Sequence, residues 1–169
     1  MTQGNMRNDR RSHQGSGQRS TPQHNETSNP PEIKFWIDKE KRLVNPDLFS
    51  KIAYDWSEKI SGWSDSGDIN RQKQNKNRRS QIRKFYDEVL FFYDTLKNKP
   101  KEDFKQFLPF IKMIRAKVYY SLGRKHIDND FKEMMERCLN QIEDWEDFEV
   151  FKNFFEAFMG YYRFHRPSD

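Results

Sequence analysis

The sequence predicts an all-α fold, a compact bundle of about five helices with a disordered N-terminal tail. Beyond residue 45, apolar side chains recur at spacings of three and four, and no segment of useful length alternates at period two. Phe, Trp and Tyr make up 15% of the 169 residues, so a modest number of side chains can bury enough area to stabilise a core. Most of the seven Gly and seven Pro lie outside the periodic stretches, which is typical of helices joined by short connections.

The chain divides into three regions by composition. Residues 1–31 are rich in Gln, Asn, Ser, Gly and Arg, and they are expected to form a disordered polar and basic tail because they cannot bury enough apolar surface. This tail either keeps the protein soluble or acts as a weak basic arm on nucleic acid. Residues 32–44 are expected to dock as a short segment, since the side chains of Phe35, Trp36 and Ile37 are expected to be buried. Residues 45–169 form the helical bundle domain, with a flexible basic loop at 64–77.

The first helix is predicted to begin after Asn45, because Pro46 suits the first helical position, and to end at Gly62. Its apolar face consists of Leu48, Ile52, Trp56, Ile60 and Trp63. The second helix is predicted from about Ser80 to Lys97. Its apolar stripe consists of Ile82, Phe85, Val89, Phe92, Tyr93 and Leu96.

The third helix is predicted from about Lys101 to Leu122, with a kink or a new start at Pro109, whose ring and missing N–H disrupt a helix. Gly123 is predicted to end this helix in the left-handed conformation. The inward positions are Phe104, Phe107, Leu108, Ile111, Val118 and Leu122.

The fourth helix is predicted to begin after Asp128, and the fifth is predicted to span about Glu146 to Phe164. The inward positions of the fourth are Phe131, Met134, Met135, Cys138 and Ile142. Those of the fifth are Phe148, Phe151, Phe155, Phe158 and Tyr162.

The formal net charge is +5, and the charges are distributed unevenly. Residues 71–84 contain seven basic side chains and no acid, and residues 104–127 contain six and no acid. Residues 128–158 contain ten acids and three basic side chains. A polyanion should therefore bind the two basic segments.

The sequence contains no recognisable catalytic or metal-binding pattern. The pair Arg7 and His13, which has the spacing found in small helical ribonucleases, falls in the tail. The acids from Glu143 to Glu149 could form a cation site, but the preference of helix starts for negative charge explains Glu146, Asp147 and Glu149 without a ligand. We therefore expect no enzymatic activity, no cofactor and no metal, and a cleavage assay on single-stranded RNA would test the rival hypothesis of a small helical nuclease.

The only cysteine, Cys138, lies at a helix core position, which predicts a buried free thiol in a reducing compartment. No apolar run approaches membrane-spanning length, and the N-terminus lacks the apolar region of a signal peptide. These features predict a cytoplasmic protein without a membrane partner.

Basic side chains interleaved with aromatic residues are the main functional signal. Arg79 and Arg83 are four apart and share one face of the second helix, and Gln81 is placed to donate to phosphate or ribose. In the third helix, Lys117 and Arg124 are roughly aligned beside the apolar stripe. A phosphate backbone running over these two helices would contact both groups.

Further cations lie near the same helices. Lys112 and Arg115 lie toward the other edge of the third helix, and Lys125 follows its end. An ordinary charged face, with Arg115 paired to an acid of the fourth helix, is the alternative explanation. The aromatic residues beyond the stripes either stack on bases or complete a core or a subunit interface; they are Tyr119, Tyr120, Tyr161 and Phe164.

At these same positions the sequence resembles a known family, the small subunit of the type III-A CRISPR–Cas effector, the Csm complex. Three blocks carry the resemblance: SQIRKFYDEV at Ser80–Val89, LPFIKMIRAKVYYSLGR at Leu108–Arg124, and FEVFKNFFEAFMGYYRF at Phe148–Phe164. With the spacing between them, they cover the chain from about Asn45 onward. The length of the tail and the long basic loop at 64–77 depart from the family pattern.

The resemblance implies a helical protein without catalytic activity, present in several copies within one ribonucleoprotein. Its partners would be guide RNA, target RNA, other subunits of the complex and copies of itself, stacked along the guide–target duplex. The matching residues implied to contact RNA are Gln81, Arg83, Lys84, Arg115, Lys117 and Arg124. With the charge pattern, the candidate RNA-binding set becomes Arg79, Gln81, Arg83, Lys84, Lys112, Arg115, Lys117, Arg124 and Lys125. The alternative function is a helical scaffold or homodimer that acts through protein–protein contacts only.

Overall fold

The computed structural model describes residues 1–2, 31–62, 70 and 73–167. This described part contains six α-helices, and the predicted all-α bundle is confirmed. The helices are α1 (Ala53–Ser61), α2 (Arg79–Leu96), α3 (Phe104–Lys112), α4 (Ile114–Gly123), α5 (Asn129–Gln141) and α6 (Trp145–His165). A π-helical turn (Leu48–Ile52) leads into α1, and a 3-10 turn (Lys101–Asp103) leads into α3.

Two predicted segments lie largely outside the described residues. They are the tail, which includes Arg7 and His13, and the first part of the loop at 64–77. The expectations of a disordered tail and a flexible loop therefore stay predictions.

Helix α6 lies at the centre of the bundle, because it packs against α1, α2 and α5. Its inward face is an aromatic stripe whose members are all fully buried: Phe148, Phe151, Phe154, Phe155, Phe158 and Tyr162. Neighbouring rings contact each other, with centroids 5.8 Å apart for Phe151 and Phe155 and 5.2 Å apart for Phe158 and Tyr162. Each such ring removes on the order of 150–250 Å² from water, so this stripe supplies a large part of the core.

The predicted inward positions of the other helices are largely confirmed. In α2, Ile82, Phe85 and Val89 are buried, and Tyr86, which was not predicted, is buried beside them with its ring edge on Phe155. Cys138 of α5 is a fully buried free thiol, and burial raises its pKa well above the ordinary value. The amphipathic periodicity therefore places most of the core correctly. The positions predicted as inward that are only half-buried are Phe92, Tyr93, Phe107, Leu108 and Leu122.

Residues 32–44 dock as an antiparallel β hairpin, in which β1 (Trp36–Asp38) pairs with β2 (Leu43–Val44). Phe35 is fully buried, and its N–H donates to Gln141 Oε1 at 3.0 Å. The hairpin strands hold three and two residues, which is too short for a period-two pattern to be recognised in the sequence.

The burial expected for Ile37 was wrong, since this side chain keeps 61% of its surface exposed. Successive residues of a strand point to opposite faces, so Trp36 faces the bundle while Ile37 faces solvent. Trp36 Nε1 donates to Asp147 Oδ1 at 2.7 Å, which anchors the hairpin to the start of α6.

The first helix begins later than predicted. The side-chain oxygen of Asn45 accepts a hydrogen bond from the N–H of Asp47 at 3.1 Å, and its carbonyl accepts one from the N–H of Leu48 at 3.0 Å. These bonds hold Pro46 in a turn before the helix. Gly62 ends α1 with φ +71°, as predicted.

The third predicted helix is two helices in the structure. Pro109 has no N–H with which to continue the helical ladder, and α3 ends at Lys112, one turn beyond it. The N–H of Met113 donates to the carbonyl of Pro109 at 3.0 Å and to that of Phe110 at 3.2 Å, and α4 starts at Ile114. The predicted new start is therefore displaced from Pro109 to the next turn.

The prediction of a left-handed Gly123 was wrong. Gly123 is the last residue of α4, and the left-handed residue is Lys125, with φ +61°. The N–H of Lys125 donates to the carbonyl of Leu122 at 2.9 Å, and that of His126 donates to the carbonyl of Ser121 at 3.0 Å. This Schellman arrangement directs the His126 carbonyl onto the N–H of Asn77, which explains why the reversal occurs two residues after the glycine.

The aromatic stripe of α6 leads to a stability prediction. We expect Phe155→Ala to lower the free energy of unfolding by about 3–5 kcal/mol, because it leaves a cavity among packed rings. Phe164→Ala, on the same helix but 66% exposed, should lower it by about 1 kcal/mol or less. Chemical denaturation followed by circular dichroism measures both, and equal losses would contradict a core centred on this stripe.

Candidate nucleic-acid interface

Asn77 joins the end of one helix to the connection between two others at one end of the bundle. It is fully buried with φ +53°, a conformation that Asn tolerates better than most residues. Its Nδ2 donates to the carbonyl of Ile60 at 3.0 Å, and its Oδ1 accepts from the N–H of Asp128 at 2.9 Å. Its own N–H donates to the carbonyl of His126 at 2.9 Å. One side chain thus ties the end of α1 to the connection between α4 and α5.

Arg166 fastens the end of α6 to the segment before α2. Its side chain is 1% exposed, and its guanidinium donates to the carbonyls of Lys76 at 2.6 Å, Gln74 at 2.7 Å and Asn77 at 3.1 Å. The hydroxyl of Tyr162 also donates to the Asn77 carbonyl. These carbonyl dipoles, which belong to one short segment, offset the burial of the charge.

These contacts bring the first turn of α2, the end of α4 and the end of α6 to the same end of the molecule. We call this region the basic end. Its cations, with Arg79 half-buried and the others exposed, are Arg78, Arg79, Arg83, Arg124, Lys125 and Arg163. Lys73 lies close by, but Asp130 and Asp128 engage its ammonium at 2.6 and 3.4 Å.

An open groove between α2 and α6 is lined by three arginines, and we call it the arginine groove. Arg79 and Arg83 come from α2, and Arg163 comes from α6. The groove has a volume of about 440 Å³. A Cβ atom added at Gly160, which also lines the groove, would meet nothing within 4 Å, so the groove is open to a ligand there.

The three arginines differ in their present contacts. Arg79 donates to the carbonyl of Pro167. Arg83 Nε donates to Asp87 Oδ1 at 2.6 Å, and its guanidinium lies 5.4 Å from the ring centre of Tyr86. The sequence analysis did not predict Arg163 as a site residue. The signal in the sequence is its position in the last turn of α6, where a positive charge interacts favourably with the helix dipole.

Two predicted RNA-binding residues hold the helices together instead of pointing freely into solvent. Lys112 Nζ donates to the carbonyl of Leu139 at 2.5 Å, and burial, with the nearby charge of Arg115, lowers the pKa of Lys112. Arg115 Nη2 donates to Asn140 Oδ1. Both residues therefore dock onto the end of α5, and the partner of Arg115 there is an amide and not the acid considered above.

The other predicted RNA-binding residues differ in their side-chain contacts and exposure. Lys117 Nζ pairs with Glu88 Oε1 at 2.5 Å. Arg124 donates to the hydroxyl of Tyr120 at 2.8 Å. Gln81 is half-buried, Lys84 and Lys125 are exposed, and the ammonium groups of these two lysines make no ion pair with any described residue. The structure thus brings Arg79, Arg83, Arg124 and Lys125 together at the basic end and leaves Lys112, Arg115 and Lys117 elsewhere.

The acidic residues at the start of α6 are engaged in the fold. Asp144 Oδ1 accepts from the N–H of Asp147 at 2.9 Å as a helix cap, and Lys39 pairs with both carboxylates at 2.8 and 2.7 Å. Within the described ranges, no group of three or more His, Cys, Asp or Glu side chains is placed to hold a metal ion. The helices of the described residues include none with the length and apolarity needed to cross a membrane.

The Arg166 contacts lead to a second stability prediction. We expect Arg166→Ala to lower the free energy of unfolding by about 2–5 kcal/mol, because the buried carbonyl of Asn77 and the partly buried carbonyls of Gln74 and Lys76 lose their donor. Arg163→Ala, one turn earlier on α6 and exposed, should change it by less than about 0.5 kcal/mol. In hydrogen exchange, only Arg166→Ala should accelerate the amides of residues 74–79. Similar exchange in both variants would show that Arg166 does not hold this segment.

The comparisons with known proteins identify the family of this chain. The chain matches the family model described as Csm2 Type III-A over residues 63–168. No curated protein and no solved structure matches it. The matched span covers more than half of the chain and includes α2 to α6, so Asn77, the arginine groove and Arg166 all lie within it. The chain belongs to the Csm2 Type III-A family, the structural small subunits of the Csm complex.

Proposed function

We propose that this protein is a non-catalytic, RNA-binding small subunit of a type III-A CRISPR interference ribonucleoprotein. Several copies stack along the guide RNA–target RNA duplex, and they hold the target strand through contacts to its backbone that do not depend on sequence. The partners are guide and target RNA, the other subunits of the Csm complex and further copies of this chain. The complex acts in the cytoplasm in antiviral defence, and this subunit needs no cofactor.

The arginine groove is the observation that carries the proposal. Arg79, Arg83 and Arg163 reach one open groove from two helices. The guanidinium group keeps its charge at physiological pH and matches phosphate oxygens in a bidentate geometry. Because contacts to phosphate carry no sequence information, such a groove suits a complex in which base pairing reads the sequence.

The neighbouring cations extend this surface. Lys125 immediately precedes His126, whose carbonyl accepts the N–H of Asn77, and Arg79 lies two residues after Asn77. Arg124 and Lys125 are therefore placed at the same end as the arginine groove, while Gln81 and Lys84 continue along α2. Lys112, Arg115 and Lys117 are secondary candidates, since they lie away from the basic end.

A scaffold that acts only through protein contacts is the second candidate function. It is favoured by the ion pairs that already engage Arg83 and Lys117. In a head-to-tail stack, the acids Glu133 and Glu136 of α5 would face a basic surface of the next copy. Charge reversal at either acid should then impair assembly while RNA affinity stays unchanged.

The proposal predicts weak RNA binding that depends on salt. A plot of the logarithm of the binding constant against the logarithm of salt concentration should fall by about 0.7 for each phosphate contacted on a single strand. Fluorescence anisotropy with two unrelated RNA sequences measures this slope, and the two slopes should agree. Strong, sequence-selective binding that is indifferent to salt is the result that contradicts the mechanism.

Single substitutions locate the contacts. Arg83→Ala and Arg163→Ala should each weaken binding severalfold and reduce the slope by about 0.7, with the melting temperature nearly unchanged. Lys105→Ala is the matched control, because it removes one exposed positive charge from α3, away from the basic end. If the control weakens binding as much as the other two variants, the binding reflects total charge and not the arginine groove.

A further inference from the structure

Two neighbouring tyrosines of α4 are exposed, and the proposed function uses neither of them. Tyr119 keeps 49% of its surface exposed, and Tyr120 keeps 65%. The core does not need these rings, because the buried residues of α4 are Ile114 and Val118. Consecutive side chains of a helix point about 100° apart, so the two tyrosines meet different surroundings. Those surroundings indicate what each ring can bind.

Tyr119 is engaged by acidic and basic side chains of α5. Its hydroxyl donates to Glu136 Oε1 at 2.6 Å, and this hydrogen bond lowers the pKa of Glu136, which keeps the carboxylate charged. The ammonium of Lys132 lies 5.9 Å from the centre of the Tyr119 ring and 3.4 Å from the Glu136 carboxylate. The charges beside Tyr119 are therefore balanced within the protein.

Tyr120 is accompanied by cations alone. Arg124 Nη1 donates to the Tyr120 hydroxyl at 2.8 Å, and the guanidinium carbon lies 5.6 Å from the ring centre. Among the described residues, Arg124 pairs with no carboxylate, and exposed Lys125 follows it. Residues 104–127 contain no acid. An exposed ring beside uncompensated positive charge is the combination found in binding sites for single-stranded nucleic acid.

The helical neighbours of Tyr120 leave space beside its ring. On a helix surface, a side chain lies next to the residues three and four positions away, which here are Ala116, Lys117, Gly123 and Arg124. Two of these are cations, and the other two are the smallest residues. Ala116 and Gly123 are exposed, and a Cβ atom added at Gly123 would meet nothing within 4 Å. Since Arg124 covers at most one of the two ring faces, a flat ligand can reach the other.

We infer that Tyr120 stacks on an unpaired base of the RNA strand that crosses the basic end; this inference rests on the proposed function. Arg124 and Lys125 belong to the basic end, and Tyr120 lies one turn before Arg124, so a strand held there passes the ring. The two cations bind the phosphates beside the stacked base.

This contact agrees with binding that does not depend on sequence. Every base has a flat aromatic face, so stacking adds affinity without selecting one base. A base that is paired with the guide RNA is enclosed within the duplex. The ring of Tyr120 therefore takes a base of the target strand that the guide leaves unpaired.

Titration of the full chain into labelled single-stranded RNA, followed by fluorescence anisotropy, tests the contact. Tyr120→Ala should weaken binding at least about fivefold, because one stacked base is lost. The salt slope should stay unchanged, since no charge is removed. Tyr119→Ala is the matched control and should bind as the wild type does. Tyr120→Phe, which keeps the ring, should also retain the wild-type affinity.

An RNA strand of equal length without bases isolates the stacking from the phosphate contacts. The wild type should bind this abasic strand at least about fivefold more weakly than the intact strand. In Tyr120→Ala the difference between the two strands should shrink, because the ring that distinguishes them is absent. Circular dichroism of each variant establishes that the fold is retained.

The outcomes separate this inference from the proposed function. If Arg83→Ala and Arg163→Ala weaken binding but Tyr120→Ala does not, the arginine groove binds RNA and the stacking inference is wrong. An abasic strand that binds the wild type as tightly as the intact strand also overturns the inference. If the wild type binds no RNA at all, both the inference and the proposed function fail. If Tyr120→Ala reduces only the co-purification of other subunits, Tyr120 is a protein contact instead.

Discussion

The fold depends on a buried polar network at one end of an otherwise aromatic bundle. Asn77 and Arg166 are almost completely enclosed, and between them they bond the end of α1, the connection from α4 to α5 and the segment before α2. A buried donor or acceptor that loses its partner costs about 1–3 kcal/mol, so few alternative arrangements of these chain ends are tolerated. The arginines of the proposed RNA site take their positions from this network.

Helix α6 connects the core with that site. Its aromatic stripe stabilises the bundle along most of its length, while its last turn supplies Arg163 to the arginine groove and leads into Arg166. At the other end of the same helix, acidic residues pair with the hairpin. The two ends of α6 therefore differ in charge: exposed Arg163 lies near its last turn, and the acids at its start are neutralised by ion pairs. A polyanion should approach the first end, and this polarity also suits subunits that stack.

The periodicity of the sequence predicts the long helices well, because 13 to 21 residues of amphipathic pattern define one buried face in α2, α5 and α6. Other features depend on contacts that no local pattern records. Pro109 indicates a break, but the break falls one turn later, after Lys112. Asn77 lies in a polar stretch and gives no sign of burial. Lys112 and Arg115 resemble a free cationic face until α5 is placed beside them, and the partners of Arg163 in the groove lie about eighty residues earlier in the sequence.

The central claim is that RNA lies across the basic end of this subunit. A cryo-electron microscopy reconstruction of the RNA-loaded complex, purified with its guide RNA from the native host, tests it most directly. The account predicts target-strand phosphates within hydrogen-bonding distance of the arginine groove. A map in which that groove is covered by another protein, with the RNA on a different face of the bundle, would contradict it.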